Sequence, residues 1–388
     1  MKYYDERNTL FSRISLKKGS KEYNEFYKKN PSLKESDDQY RGTSFRNNLR
    51  KSDRFKDLFF PITASNKTFI KSLHEVVDKT RLGEMQNIKP SFAKNIKEIT
   101  KYYGATEVGI TTLDEYSYYS HFGGLNDELG IYNYGEKPTQ KYTHAVVFTI
   151  AMDLEKMNRA PHFEELLATE EAYLMLAHVG ARLAVYLKSI GYDSMFNSSE
   201  FYLAPLVPLA YDAGLGQIGM SNHLVTVEHG DNVRLGAVFT TLKLDIDKPI
   251  DFGLDDFCKR CSLCLMNCPS HAISHKPRMV NGRQFYKFDD QKCFDMWVKS
   301  GTDCGTCIQA CPFTQGIDLK KIPKIKEGTK EIDEIMSEHM DKYGRRNYIK
   351  KEHRMLMLEE DDESWIWHTW YDWVRSTKEV REVYCIMW

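Results

Sequence analysis

The sequence predicts an α/β (α+β) core joined to a small cysteine-rich module. Two observations lead to this prediction. Between residues 91 and 250, apolar residues follow strand and helix periodicities in alternation. Eight of the nine cysteines lie between Cys258 and Cys311. A chain of 388 residues is long enough for two or three structural units of this kind.

Five segments carry the prediction for the core. A helix is expected over residues 91–103, and strands are expected over 106–110 and 233–242. The run from Ala145 to Ile150 is almost wholly apolar, which indicates a buried strand over 142–151. A long helix is expected over 163–190, because its apolar residues recur at helical spacing and Gly191 follows as a stop signal.

Four regions are predicted along the chain. Residues 1–90 form an N-terminal arm that wraps over the core, although its first 60 residues could instead be a partly disordered extension. The core covers residues 91–250 and the cysteine-rich module covers 251–318. Residues 319–388 form a helical, tryptophan-rich extension, which either packs on the core or offers a surface for peripheral membrane contact or partner docking.

Composition excludes several classes of function. The 54 basic and 55 acidic residues nearly cancel, which argues against a nucleic acid or an anionic membrane as the main partner. The longest largely apolar run, from Ala145 to Met152, is far shorter than the ~20 residues of a membrane-spanning helix. Because the N-terminus has neither a secretory profile nor paired arginines, a cytoplasmic location is expected.

The cysteines form two runs with a characteristic spacing. The first is Cys258-x2-Cys261-x2-Cys264-x3-Cys268-Pro269, and the second is Cys304-x2-Cys307-x3-Cys311-Pro312, with Cys293 upstream of it. Three cysteines at x2 spacing hold three corners of a [4Fe–4S] cluster, and the cysteine before proline ligates the other cluster. The predicted ligands are Cys258, Cys261, Cys264 and Cys311 for one cluster and Cys268, Cys293, Cys304 and Cys307 for the second.

The alternatives are a zinc ribbon and disulfides. A zinc ribbon uses four cysteines in two pairs and leaves the other four unexplained, and disulfides do not suit a reducing compartment. Cys385 lies far from the runs and is interpreted as an ordinary thiol. About 250 residues precede the module, which implies that its electrons are used within this polypeptide.

Several stretches in order along the chain resemble the reductive dehalogenase family, whose members use a corrinoid and iron–sulfur clusters to remove halogen from organohalides. The resemblance covers about residues 90–320. The stretches are 147–152 (VFTIAM), 157–161 (MNRAP), 213–217 (AGLGQ), 232–236 (NVRLG), 247–253 (DKPIDFG) and both cysteine runs.

The resemblance implies a nitroreductase-like core that binds cobalamin or a related corrinoid base-off, without a histidine below the cobalt. It implies an organohalide substrate and a low-potential electron donor of ferredoxin or flavodoxin type. No nucleic acid is expected. The implied corrinoid contacts are Gly214, Gly216, Gly219 and Leu235, although a tight structural turn explains the glycines nearly as well.

The resemblance also implies that Tyr173 donates the proton and that Arg234 assists it. A phenol has an ordinary pKa near 10, and a fixed guanidinium stabilises the phenolate. The ordinary alternatives are a core tyrosine and a strand arginine in an ion pair. Further implied substrate contacts are Asn197, Trp297 and Thr169. Asn197 could instead form a turn, and Trp297 could pack beside a cluster.

Two other functions compete with dehalogenation. Epoxyqueuosine reductase resembles the chain more distantly and acts on tRNA, but the near-zero net charge and the Val-Arg-Leu stretch favour the dehalogenase. A non-catalytic electron-transfer protein would keep the cysteine module and have a degenerate cofactor pocket.

Overall fold

The computed structural model describes residues 1–42, 53–124 and 132–344, without the side chains of residues 53–61. Before the cysteine module, the described residues form the α-helices α1 Leu10–Ser15, α2 Lys21–Lys29, α3 Lys34–Tyr40, α4 Asp53–Lys79, α5 Ala93–Tyr102, α6 Leu154–Met157, α7 Phe163–Ser189 and α8 Leu206–Asp212. Six strands belong to the same part: β1 Val108–Thr112, β2 His144–Ala151, β3 Ser194–Asn197, β4 Gln217–Ile218, β5 Leu224–Val225 and β6 Val233–Thr240. The Trp-rich segment and Cys385 lie outside the described residues.

The core sheet has four strands in the order β1-β2-β6-β3, and each neighbouring pair is antiparallel. Of the two fold classes that the sequence left open, the structure is therefore α+β. Strand β2 is buried along its length because both faces of the sheet are covered. Val146 and Phe148 pack towards α4, α5 and α7, whereas Ala145 and Val147 pack towards α8.

Helix α7 approaches the sheet closely at Gly236 of β6. A Cβ atom at Gly236 would stand 2.6 Å from the ring of Phe148 and 2.9 Å from Leu176 of α7. The absence of a side chain lets the helix pack directly on β6, the strand that also carries Arg234.

The cysteine module follows the core. Its elements are α9 Leu254–Cys261, α10 Leu263–Asn267, β7 Ile273–Val280, β8 Arg283–Phe288, α11 Asp290–Ser300, α12 Thr306–Gln309 and α13 Pro312–Gln315. After it come a 3₁₀ segment, Leu319–Glu327, and α14 Thr329–Tyr343, which packs on α9. The N-terminal helices also contact this module, because Leu10 and Ile14 of α1 pack against Phe294 of α11. No helix in the described ranges is long and apolar enough to cross a membrane.

The protein should lose stability in mild acid through His74 of α4. Its ring stacks on Phe196 of β3 at 3.9 Å between centroids, and Nε2 lies 2.8 Å from Ser198 Oγ. Burial lowers the pKa of His74 to about 4, whereas an unfolded histidine titrates near 6.5. The contribution of His74 to the free energy of unfolding is therefore fully present above pH ~6.5 and is lost as the pH falls towards 4. Between pH 7 and pH 5 the free energy of unfolding should fall by about 2 kcal/mol.

The check is denaturant unfolding at both pH values. His74→Gln keeps a polar partner for Ser198 but does not titrate, so the fall in unfolding free energy should shrink by this amount. An unchanged pH dependence in the variant would contradict the assignment.

Candidate functional site

A cavity of about 230 Å³ lies where α7, α8, β6 and the end of α12 meet. This volume is smaller than the roughly 300–1,000 Å³ that is typical of small-molecule sites, and the cavity is partly open to solvent. Leu235 and Ile308 contribute to its apolar walls. Its polar lining comes from Tyr119, Tyr173, Tyr202, His223, Asp231 and Arg234.

Tyr173 of α7 and Arg234 of β6 meet at the wall of this cavity. The guanidinium carbon of Arg234 lies 5.2 Å from the centroid of the Tyr173 ring. Nη2 of Arg234 donates to Thr169 Oγ1 at 2.8 Å and to Asp303 Oδ2 at 3.0 Å. Thr169 lies one helical turn before Tyr173, so α7 positions both the phenol and one anchor of the guanidinium.

Negative groups surround Arg234. Burial lowers the pKa of the Arg234 guanidinium, but the neighbouring Tyr173, Asp303 and Glu165 outweigh this effect and raise it. Glu165 is fully buried. Burial raises the pKa of Glu165 well above its usual range, and the charge of Asp303 adds to the rise. Asp303 forms an ion pair with Arg234, with 3.0 Å between Nη2 and Oδ2.

A second polar group connects the cavity to the cysteine module. The Asp231 carboxylate is almost fully buried and accepts from Thr314 Oγ1 at 2.8 Å and Ser221 Oγ at 3.3 Å. Its Oδ2 lies 3.2 Å from Nδ1 of His223. Asp231 lines the main cavity and also a smaller cavity among the cysteines. The two cavities therefore share one wall.

The eight cysteines of the module are unpaired and form two groups. In the first group, Cys258 and Cys261 interact electrostatically with Cys264 and with Cys311. These four cysteines line the smaller cavity. Burial raises the pKa of Cys258 to about 12, so its thiolate is stabilised only when positive charge is bound nearby.

The second group is built in the same way from different parts of the chain. Cys304 and Cys307 each interact electrostatically with Cys268 and Cys293. A tetrahedral zinc ion would hold its sulfurs about 3.8 Å apart. No three cysteines in the described ranges have sulfurs that all lie within 4.8 Å of one another. This spacing fits a cluster of several metal atoms better than single zinc ions.

Two of the predicted substrate contacts lie elsewhere. Asn197 is fully buried, and it donates to Ala237 O at 3.3 Å and accepts from Leu203 N–H at 2.8 Å. Because backbone groups bind both ends of its side chain, Asn197 holds the loop after β3 and does not line the cavity. Trp297 packs on Phe11 with 5.9 Å between ring centroids and lies beside Cys293. Thr169 acts on the cavity only through Arg234.

Of the predicted corrinoid contacts, some line a cavity and others pack against the protein's own backbone. Leu235 lines the main cavity. Gly214 has a positive φ of 71°, and a Cβ atom there would meet Lys248 O at 2.5 Å. A Cβ atom at Gly216 would meet Val225 O at 2.2 Å. These two glycines pack against the protein's own backbone, which favours the structural turn, whereas Gly219 lines the cavity of the first cysteine group.

The sequence motifs did not identify several of the residues that line or support the cavity. Tyr119, Tyr202 and His223 had no motif to single them out. Asp303 and Asp231 become important through contacts across the fold. Their position next to predicted site residues could have indicated them, because Asp303 directly precedes Cys304 and Asp231 lies three residues before Arg234.

Comparison with known proteins bears on both parts of the site. Residues 257–315 match the family described as a 4Fe-4S dicluster domain. A tetrachloroethene reductive dehalogenase from Sulfurospirillum multivorans is 36% identical over 181 residues, which cover 45% of this chain and 36% of that protein. Another from Dehalobacter restrictus is 27% identical over 297 residues, or 63% and 54% of the two chains. The resemblance to reductive dehalogenases is confirmed.

Solved dehalogenase structures share the fold. A catabolic reductive dehalogenase in complex with 3-bromo-4-hydroxybenzoic acid aligns with a TM-score of 0.65 at 22% identity, over 73% of this chain and 42% of that one. A second reductive dehalogenase, whose structure is described as suggesting a mechanism for B12-dependent dehalogenation, aligns with a TM-score of 0.60 at 24% identity. The alignment covers 69% of this chain and 39% of that one.

The dehalogenase relatives are longer than this protein, which spans about half of their length or less. The more distant resemblance is confirmed as well. An epoxyqueuosine reductase from Synechococcus is 34% identical over 122 residues, or 29% of this chain and 36% of that one. Together with the dicluster match, the cysteine spacing establishes two [4Fe–4S] clusters in the module.

Proposed function

We propose that this chain is a corrinoid-dependent reductive dehalogenase, in which electrons pass through two [4Fe–4S] clusters to cobalt and an organohalide loses its halogen as halide. The observation that carries the proposal is the position of Tyr173 under Arg234, at the wall of a cavity that adjoins the first cysteine group. A proton donor, a cavity with an apolar and aromatic lining, and an electron input then meet in one place.

The cluster ligands follow the two cysteine groups. One cluster is held by Cys258, Cys261, Cys264 and Cys311, and the other by Cys268, Cys293, Cys304 and Cys307. Support comes from the shared cavity of the first group and from the electrostatic contacts within the second. Each group takes one ligand from the other cysteine run, as two-cluster ferredoxins do, and the second group takes Cys293 from upstream of its run as well.

The lining of the main cavity suits a corrinoid. Tyrosine rings and apolar side chains such as Leu235 and Ile308 offer the walls that a flat macrocycle needs. One of the matched dehalogenase structures is described as suggesting a mechanism for B12-dependent dehalogenation. We keep the base-off binding mode and the nitroreductase-like core type as predictions.

When bound, the clusters and the corrinoid supply two electrons and the metal centre at which the carbon–halogen bond breaks. The residues of this chain control the proton. Tyr173 gives its hydroxyl proton to the carbon that loses halide, so that one proton and two electrons replace each halogen with hydrogen. Arg234 stabilises the resulting phenolate, and Thr169 and Asp303 hold the guanidinium in place. A proton from solvent then restores the phenol.

The electron donor is proposed to be a low-potential carrier of ferredoxin or flavodoxin type, and a cytoplasmic location stays a prediction. Anaerobic reconstitution tests the function itself. Protein loaded with iron, sulfide and a corrinoid should bind about eight iron atoms per cobalt. It should also release halide from at least one member of a panel of halogenated phenols and alkenes when reduced. Full loading without halide release from any member would contradict dehalogenation.

A further inference from the structure

Strands β7 and β8 form a hairpin that joins two ligands of the same predicted cluster. β7 begins five residues after Cys268, and β8 ends five residues before Cys293. The Ala272 N–H, directly before β7, donates to Cys268 Sγ at 3.3 Å. Both ends of the hairpin therefore lie at the second cysteine group.

The base of this hairpin is firmly attached to the rest of the protein. Tyr286 is almost fully buried, and its hydroxyl donates to Asp255 Oδ1 at 2.7 Å. The Tyr286 N–H donates to Asn222 Oδ1, and Asn222 Nδ2 donates back to Tyr286 O. At the tip, Asn281 and Gly282 both have positive φ, as a tight hairpin turn requires. The hairpin is thus a fixed surface and not a loose loop.

The outer surface of the hairpin is basic. Residues 273–288 contain no Asp or Glu, and Lys276, Arg278 and Lys287 are exposed. None of these three has an ion-pair partner within the described ranges, whereas Arg283 is paired with Asp212. The chain as a whole has a net charge of −1, so this positive surface is local.

Apolar groups accompany the positive charge. Met279 is 64% exposed and Phe288 is 40% exposed. The Arg278 guanidinium lies 6.0 Å from the Phe285 ring centroid. Exposed apolar side chains beside unpaired cations are typical of a surface that binds an acidic protein.

We propose that the β7–β8 hairpin is the docking surface for an acidic, low-potential ferredoxin that reduces the second cluster. The inference rests on the proposed function, because it needs the module to receive electrons from outside. In each encounter the reduced ferredoxin loses one electron and the oxidised cluster gains it, so one dehalogenation takes two encounters. Lys276 lies three residues along β7, about 10 Å from the strand's cysteine end, so docking here brings the carrier close to the cluster.

The test measures cluster reduction and not dehalogenation. Cluster-loaded protein is mixed anaerobically with a reduced plant-type ferredoxin, and bleaching of the cluster absorbance is followed by stopped flow. Lys276→Glu, Arg278→Glu and Lys287→Glu together should lower the second-order rate constant at least tenfold at low ionic strength. High salt should remove most of this difference, because it screens charge. Reduction by methyl viologen should be unchanged.

A matched control reverses the same number of charges elsewhere. Lys89, Lys94 and Lys101 are exposed on and beside α5, which packs on α7 and β1. The triple Glu variant at these positions should be reduced by ferredoxin within twofold of the wild-type rate. An equal loss in both variants, or a wild-type rate in the hairpin variant, would overturn the proposal.

A measurement on unaltered protein guards against variants that fold poorly. Carbodiimide cross-linking with ferredoxin should join its carboxylates to Lys276 or Lys287, and cross-links only at other lysines would overturn the docking site. Failure of dehalogenation is distinguishable, because it would leave fast cluster reduction without release of halide.

Discussion

Replacing Tyr173 with Phe is expected to lower the rate of halide release by about 10²–10⁴-fold, the usual contribution of a positioned proton donor. The change removes only the hydroxyl, and Tyr173 is not one of the predicted cluster ligands. Iron and corrinoid content should therefore equal those of the wild type. The measurement is halide release by fully loaded protein under saturating reductant.

Two tyrosine controls make this prediction specific. Tyr202→Phe removes another hydroxyl from the cavity lining, whereas Tyr186→Phe removes one from α7 away from the cavity. Of the three, only Tyr173 lies under the Arg234 guanidinium. Burial raises the pKa of Tyr202 well above its ordinary value, which makes it a weaker acid. If Tyr202→Phe caused the loss and Tyr173→Phe kept full activity, the donor would be assigned wrongly.

Variants of Arg234 separate its charge from its shape. Arg234→Lys keeps a positive charge but lacks the planar fork that binds Thr169 and Asp303 together. Arg234→Gln removes the charge and leaves Asp303 beside Glu165 without a cation, so it should also lower the melting temperature. We expect the Lys variant to retain more activity than the Gln variant. The opposite order would contradict a role for the positive charge of Arg234 in stabilising the phenolate.

The sequence predicted those parts of the fold that have a strong pattern. Helix α7 and strands β2 and β6 lie within two residues of their expected bounds, because each buries a continuous apolar face. Strand β3 was missed because it has only four residues. The β7–β8 hairpin was missed because β7 is mostly exposed and contains Pro277, so no burial period marks it.

The candidate site was predictable where spacing carries chemistry. The cysteine runs indicate clusters without any knowledge of the fold, since the ligand spacing is itself the signal. Asn197 was expected near substrate, but its side chain binds the backbone of Leu203 and Ala237. Asp231 and Asp303 could not be found from spacing, because Asp231 binds Thr314 and Asp303 binds Arg234, and the residues of each pair lie more than sixty positions apart in sequence.

The division of the cysteines into two groups makes a sharp prediction for iron content. Cys264→Ala should lower iron from about eight atoms to about four, because a [4Fe–4S] cluster needs four cysteines. Adding Cys311→Ala should cost no further iron, since both belong to one group. Adding Cys268→Ala instead should remove nearly all iron, although Cys268 is closer to Cys264 in sequence than Cys311 is. The Cys385→Ala variant should keep all eight iron atoms. Equal iron in the two double variants would contradict the grouping, and no model based on neighbouring cysteines alone predicts this difference.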